Sequence, residues 1–444
     1  MDNQLIKINS LSTESLDSLL YQSKLKRKLV ITISYGDYTI GTGGTDKVIL
    51  AHQRIFNEKG FDVIHLSPFK YSSWWEVIFN GTFKGIYSNH RLKKFLHAFK
   101  GIKLSAFFIH HLKDVNINSL KEILDYCDVP ICYYLHDYYT ICPKSGLIRE
   151  NGTFCGNGFP SDKKCKDCAY YPEARKLIEQ IQDVISTYED RITFIAPSNS
   201  VKEIWLNDYP QYSVKVKVIN HQNLVGEYIG NSNLISNDEP LRIGFVGYQK
   251  SFKGWEQFKQ ASEKANHLQL KERFYQFGRG NDRLSYVEQI DVDFKKSMTA
   301  MTDALRDKGI HVAIIWSMVP ETYSFTYYES TVSNCFIITN NFSGNVCDQV
   351  RVKRNGIVVD DLSEILTDEK LLRKLVNDYR INGHKTPNEL KENDEFLCLI
   401  KENDWKPRTV NKRIDLSILF SFYMKFNKNT KRIIKMLLGK DVNI

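Results

Sequence analysis

The chain lacks any long apolar run. In 444 residues nothing approaches the ~18 consecutive apolar residues of a membrane-crossing helix, so no transmembrane helix is expected. Residues Met1 to Gln22 carry acidic side chains and no apolar segment ahead of the first strand-like run, so no secretory leader is expected either. Short internal repeats and low-complexity tracts are also missing. The expected compartment is the cytoplasm, where the nine cysteines serve as thiols or metal ligands rather than disulfides. Most of the chain also lacks an excess of charge of one sign. The net charge is +9, but from Lys406 onward ten Lys or Arg stand against two Asp, and the remainder is nearly balanced. This excludes a nucleic-acid groove over the whole surface. What is present, 42% hydrophobic and 25% charged residues, is the composition of a soluble globular protein of two or three domains.

Short apolar runs alternate with helical patterns through the first half. Strands are predicted at Leu29–Ser34, Asp62–Ser67, Ala106–His110, Pro130–Leu135, Thr193–Pro197 and Val216–Ile219, with helices such as Thr45–Lys59 and Ile117–Tyr126 between them. This is the pattern of βαβ units on a parallel sheet. After a polar linker, Ser236-Asn237-Asp238-Glu239-Pro240, a second series runs through Leu241–Val246, Phe274–Phe277, His311–Trp316, Phe336–Thr339 and Gly356–Val359. The expected organisation is two α/β, Rossmann-like domains at residues 1–235 and 241–400, then a basic amphipathic tail at 401–444. A single doubly wound domain is the competing arrangement.

Chemistry concentrates at predicted strand ends. Glu321 and Glu329 lie in Pro320-Glu321-Thr322-Tyr323-Ser324-Phe325-Thr326-Tyr327-Tyr328-Glu329, one in the loop after a strand and one entering the next helix. Open α/β sheets bind ligands at such carboxyl ends, and acceptor-only carboxylates suit the hydroxyls of a sugar or ribose. Thr326-Tyr327-Tyr328-Glu329 also reads as a capping box, in which Glu329 merely closes the helix start. Gly41-Thr42-Gly43-Gly44-Thr45 runs into a helix and offers backbone N–H groups to an anion. His136 and Asp137 end another strand, where an imidazole can meet a ligand and Asp137 can orient it or cap a turn.

The acidic segment resembles the Glu-x7-Glu signature of retaining glycosyltransferases of family 4, which have the GT-B fold of two Rossmann-like domains facing across a cleft. The resemblance covers roughly Leu29 to Leu375. It implies that Glu321 contacts the donor sugar, Glu329 the nucleotide ribose and His136 the transferred sugar. It also implies that Gly43 and Gly44 lie near the donor phosphate. In Gly244-Phe245-Val246-Gly247-Tyr248-Gln249-Lys250-Ser251-Phe252-Lys253-Gly254, Lys253 matches the family lysine that grips the diphosphate, whereas Tyr248 stands where the family has Arg; Lys250 is a candidate replacement. Phe277-Gly278-Arg279-Gly280 resembles the loop near the base, which makes Arg279 a donor-side candidate. Ser324 and Phe325 complete the donor set, with Ser324 in place of the family's Gly. The turn Phe342-Ser343-Gly344-Asn345 could present backbone N–H groups to the donor. Asn355-Gly356-Ile357-Val358-Val359 matches the family's strand entry.

Cys142, Cys155, Cys165 and Cys168 cluster after the His-Asp pair. Cys165-Lys166-Asp167-Cys168 is a standard zinc half-site, but Cys142 and Cys155 are thirteen apart. Structural zinc, buried free thiols and redox use all remain open. No catalytic metal is implied. The tail interleaves Ile, Leu and Phe with Lys and Arg at helical spacing, which fits either an interfacial helix on anionic lipid or a helix packed on the protein. A second basic stretch, His90–Lys100, preceded by Tyr71-Ser72-Ser73-Trp74-Trp75, is a candidate surface for a lipid-linked acceptor. The expectation is a glycosyltransferase moving a sugar with retention from a nucleotide-sugar to a glycan, lipid-linked at the inner membrane face. Its partners are a donor, an acceptor and an anionic membrane surface, and no nucleic acid. The rival reading is a non-catalytic nucleotide-sugar or glycan-binding protein on the same scaffold. An inverting enzyme would need a base, for which His110 or Asp137 could serve.

Overall fold

The computed structural model describes residues 28–69, 73–98, 104–149, 153–227, 234–381 and 387–400. The tail at 401–444, and with it the interfacial-helix expectation, lies outside them. Among the described residues no helix is long and apolar enough to cross a membrane.

Two sheets carry the architecture. The first has eight strands: β1 (Lys28–Ile33), β2 (Phe61–Pro68), β3 (Trp74–Phe79), β4 (Thr82–Ser88), β5 (Leu104–Ile109), β6 (Ile131–Tyr134), β7 (Ile192–Ala196) and β8 (Val216–Val218), in the order β4-β3-β2-β1-β5-β6-β7-β8. All pairings are parallel except those made by β3, which runs antiparallel to β2 and β4. After β9 (Gln222–Val225) comes the second sheet, wholly parallel, of β10 (Arg242–Val246), β11 (Arg273–Phe277), β12 (Val287–Ile290), β13 (Val312–Ile314), β14 (Phe336–Thr339) and β15 (Gly356–Val358). Its order, β12-β11-β10-β13-β14-β15, reverses direction between β10 and β13, the switch point at which doubly wound sheets bind ligands. The first sheet reverses between β1 and β5.

The central strands are apolar throughout because helices cover both faces of a parallel sheet. In β5, Leu-Ser-Ala-Phe-Phe-Ile is buried at every position. Core clusters flank each sheet: Ile31, Phe107 and Trp205 on one face of the first, Phe56, Phe108 and Tyr134 on the other; Phe245, Trp255 and Phe258 against Phe277, Tyr327 and Ile337 on the second.

The β3–β4 hairpin was not anticipated. It turns on Asn80-Gly81, both at positive φ (45° and 81°), as a two-residue hairpin turn of the primed type requires. Trp75 is therefore core, with its Nε1 donating to Asn89 Oδ1 at 2.6 Å, and is not exposed for an acceptor. His90–Lys100 opens as the helix Asn89–Ala98, whose Leu92 is buried.

A two-stranded ribbon ties the halves together. Strand β16 (Glu389–Glu392) pairs antiparallel with β9, Leu224 and Leu390 pack on the second sheet's core, and Phe396 then packs on the first sheet's core beside Phe56 and Phe108.

Candidate functional site

The helix Gly44–Glu58 begins directly after the glycine loop, with Gly43 as its N-cap. The Gly43 amide donates to Asp46 Oδ2 at 2.9 Å. That carboxylate lies so close to Gly41 that a Cβ there would meet it at 2.3 Å, so the loop needs its glycine. Burial pushes the Asp46 carboxyl above its ordinary value, offset in part by the Gly43 amide.

Opposite stands the loop after β13. Gly254, at φ +82°, lets the Ser251–Lys253 turn sit against the Trp316 carbonyl, which a Cβ would meet at 2.1 Å. The Met318 amide donates to Phe252 O at 2.8 Å. These contacts bring Lys253 Nζ to 2.5 Å from Glu321 Oε1. Glu321 is held in turn by its backbone. The Asn345 amide donates to Glu321 O at 3.0 Å, and Gly344, at φ +56°, approaches so closely that a Cβ would lie 2.8 Å from Glu321 N. The amides of Phe342, Ser343 and Asn345 are all engaged inside the protein, so these three do not point at a ligand.

Glu329 lies inside the helix Phe325–Val332, whose N-cap is Ser324. It does not close a capping box. It accepts instead from Lys47 Nζ at 2.7 Å, with both side chains 6% exposed. Lys47 comes from the first half, on the Gly44–Glu58 helix, and its ammonium also sits 4.5 Å from the centroid of the Phe325 ring. The helix ends at Ser333, and Asn334 follows in the left-handed conformation at φ +58°, as Asn tolerates.

Two cavities meet at the Lys253–Glu321 pair. The first is lined by Gly43, Gly44, Lys47, Tyr248, Lys253, Phe277, Gly278, Glu321, Ser324, Phe325 and Glu329, among others. It thus collects most of the predicted donor set, with two carboxylates and two ammonium groups. The second, about 370 Å³, is lined by Thr45, His136, Asp137, Ser145, His221 and Thr322 and shares Gly44, Lys253, Glu321, Tyr323 and Phe325 with the first. Contacts across the cleft include Thr322 Oγ1 donating to His136 O at 2.5 Å, Ser198 Oγ to Thr322 O at 2.7 Å, Lys295 Nζ to Tyr38 O at 2.6 Å and Tyr248 OH to Thr42 O at 3.4 Å.

Not every candidate converges. Arg279 is about half exposed, lies 3.5 Å from Asp293 and lines neither cavity; Gly278 takes the place expected of it. Asp137 orients His111, not His136, at 3.1 Å and caps the Tyr139 amide at 2.9 Å. Burial raises the Asp137 carboxyl, but His111 and that amide bring it net below its ordinary value. The ring nitrogen bonded to His136 belongs to His110.

The four cysteines are free, with Cys165 buried and the others half-buried. Among the described residues no three His, Cys, Asp or Glu side chains are grouped to hold one metal ion. Cys155 Sγ donates to Leu147 O at 3.0 Å, and burial pushes the Cys142 thiol up to about 11.

Sequence reasoning missed Lys47 and His221. Lys47 could have been found, because it faces the same way as Gly44 at helical spacing in the first turn after the glycine loop. His221 follows a short strand by an irregular loop and carried no signal.

No family model matches the chain, and no curated protein does. Solved structures do. Sucrose-phosphate synthase from Thermosynechococcus elongatus superposes with a TM-score of 0.50 at 13% identity, over 81% of this chain and 95% of the other. HepE from Anabaena in complex with UDP-glucose gives 0.46 at 11%, over 80% and 93%, and the pneumococcal O-GlcNAc transferase GtfA in complex with UDP and GlcNAc gives 0.44 at 10%, over 80% and 92%. At these identities the likeness is one of fold: two Rossmann-like domains facing across a cleft, the GT-B architecture.

Proposed function

We propose that the chain transfers a sugar from a nucleotide-sugar donor to a hydroxyl of a glycan acceptor, with retention of configuration. The observation that carries this reading is the Lys253–Glu321 ion pair at 2.5 Å, placed where the two cavities join. A donor needs a fixed cation beside its diphosphate, because charge builds on the leaving oxygens as the glycosidic bond breaks, and preorganised charge is worth most there. Lys253 supplies that cation. Glu321, held by Gly344 and Asn345, accepts from donor-sugar hydroxyls. Glu329 accepts from the ribose, held in place by its ion pair with Lys47. Gly43 and Gly44 admit the diphosphate close to the backbone at the helix start.

The second cavity takes the acceptor. His136, His221 and Tyr323 offer ring faces and polar edges suited to an uncharged saccharide. Glu321 and Glu329 are each tied to a lysine and so are poor covalent nucleophiles. The acceptor hydroxyl therefore attacks from the face that the diphosphate leaves, and the departing phosphate oxygen takes its proton.

Glu321→Ala and Lys253→Ala should each lose most transfer, at least about a hundredfold, while their thermal unfolding stays cooperative. Unchanged turnover in both variants would refute the assignment. The rival, a binding protein without turnover, is favoured by Tyr248 at the position of the family's arginine. Incubating the purified chain with nucleotide-sugars discriminates between them, since an enzyme releases nucleoside diphosphate slowly even without acceptor and a binding protein releases none.

A further inference from the structure

From the interior to the wall of the second cavity runs a column of rings: His52, His110, Tyr134, His136 and His221, of which His136 is half-buried and the others buried, with centroids 4.8–5.4 Å apart from His52 to His221. Within it His110 Nδ1 and His136 Nε2 lie 3.0 Å apart. The two rings are nearly parallel, 13° apart, and Tyr134 stacks on both at 8°. The pair is therefore held edge to edge on an aromatic floor, and one proton lies between the two nitrogens.

The position of that proton decides what His136 shows the cavity. A neutral imidazole carries one N–H and one bare nitrogen. Burial holds both groups well below their ordinary value, and the neighbouring histidines lower them further, so both are neutral. His110 Nε2 is buried and has no hydrogen-bond partner among the described residues. A buried N–H without an acceptor is rarer and more costly than a bare acceptor, so the proton of His110 belongs on Nδ1 and points at His136 Nε2. Accepting it forces the proton of His136 onto its own Nδ1, the ring's only other polar atom, on a residue that lines the second cavity.

We infer that His110 is a positioning residue: its Nδ1–H fixes His136 as the Nδ1–H tautomer, a hydrogen-bond donor to a substrate oxygen in the cleft. The consequence for turnover rests on the transfer reading above; the tautomer does not.

The test uses the full wild-type chain labelled with ¹⁵N-histidine. A nitrogen–nitrogen coupling across the hydrogen bond should join a protonated δ nitrogen to a bare ε nitrogen. A protonated ε nitrogen in the coupled pair, or no coupled pair, overturns the inference. Two variants read the role. His110→Phe keeps the ring and removes the donor, and should lower turnover about a hundredfold, the scale of a misplaced group, with donor affinity unchanged. His110→Asn restores an N–H near the position of Nδ1 and should recover most of that loss. Wild-type turnover in His110→Phe, or no recovery in His110→Asn, overturns the positioning role. The spectra need no turnover. A chain that transfers nothing therefore sinks the functional reading, and the tautomer assignment still stands or falls on its own signal.

Discussion

At the scale of single residues, Lys47 matters as much as the two carboxylates that drew attention first. A buried ion pair contributes little over a matched apolar pair, but removing one partner strands the other. Lys47→Met should therefore cost about 3–5 kcal/mol of stability, read as a fall in urea midpoint, because the Glu329 carboxylate loses its partner inside the protein. Adding Glu329→Gln should recover a large part, since contacting residues are not additive. Strictly additive losses would show that the pair does not act as a unit. The residue scale was also the most legible from sequence for Glu321, Glu329, Lys253 and His136, because loop chemistry at a strand's carboxyl end leaves a local signature. It was illegible where the partner is remote. Glu329 and Lys47 are 282 positions apart, and no spacing rule joins them; the capping-box alternative was local, and it lost to this distant partner.

Among elements, the loop geometry around Glu321 rests on glycine. Gly344 at φ +56° and ψ −123° occupies backbone space that a side chain enters at a cost of about 1–3 kcal/mol, and its Cβ would displace the Glu321 amide. Gly344→Ala should lower the melting temperature and weaken nucleotide-sugar binding together, measured by thermal shift with and without donor. An unaltered melting temperature would mean that the approach is not tight. Most strands were visible in sequence, because buried parallel strands are apolar throughout and bounded by polar turns. The β3–β4 hairpin was not read, although Asn80-Gly81 between two apolar, aromatic runs is a strong local hairpin signal. Here the aromatic residues suggested a surface, whereas pairing of β3 with β2 buries Trp75. The ribbon of β9 and β16 had no comparable signal, since Glu389-Leu390-Lys391-Glu392 is half polar and becomes a strand only by finding a partner 164–170 positions away.

For the molecule as a whole, the buried histidines set its response to acid. Burial holds His52, His221 and His311 down to about 3, against an unfolded value near 6.5, and His110 and His136 lie well below the same value. Between those limits the unfolded chain binds protons that the folded chain refuses. Stability is thus full above pH ~6.5 and is lost as pH falls below it, by about 1.4 kcal/mol per pH unit for each group once its unfolded form is protonated. The urea midpoint should drop between pH 7.5 and 5.5; a constant or rising midpoint would contradict the neutral state of these histidines in the folded chain. The two-sheet plan was readable from alternation alone, but the return of Phe396 to the first core was not, because the closing segment looks like an extension of the second half. That return has a mechanical consequence. With the backbone crossing between the halves twice, and the two crossings stitched side by side as β9 and β16, the halves share a two-ply spine: pulling one away from the other must break a ladder of backbone hydrogen bonds and draw Phe396 out of the first core.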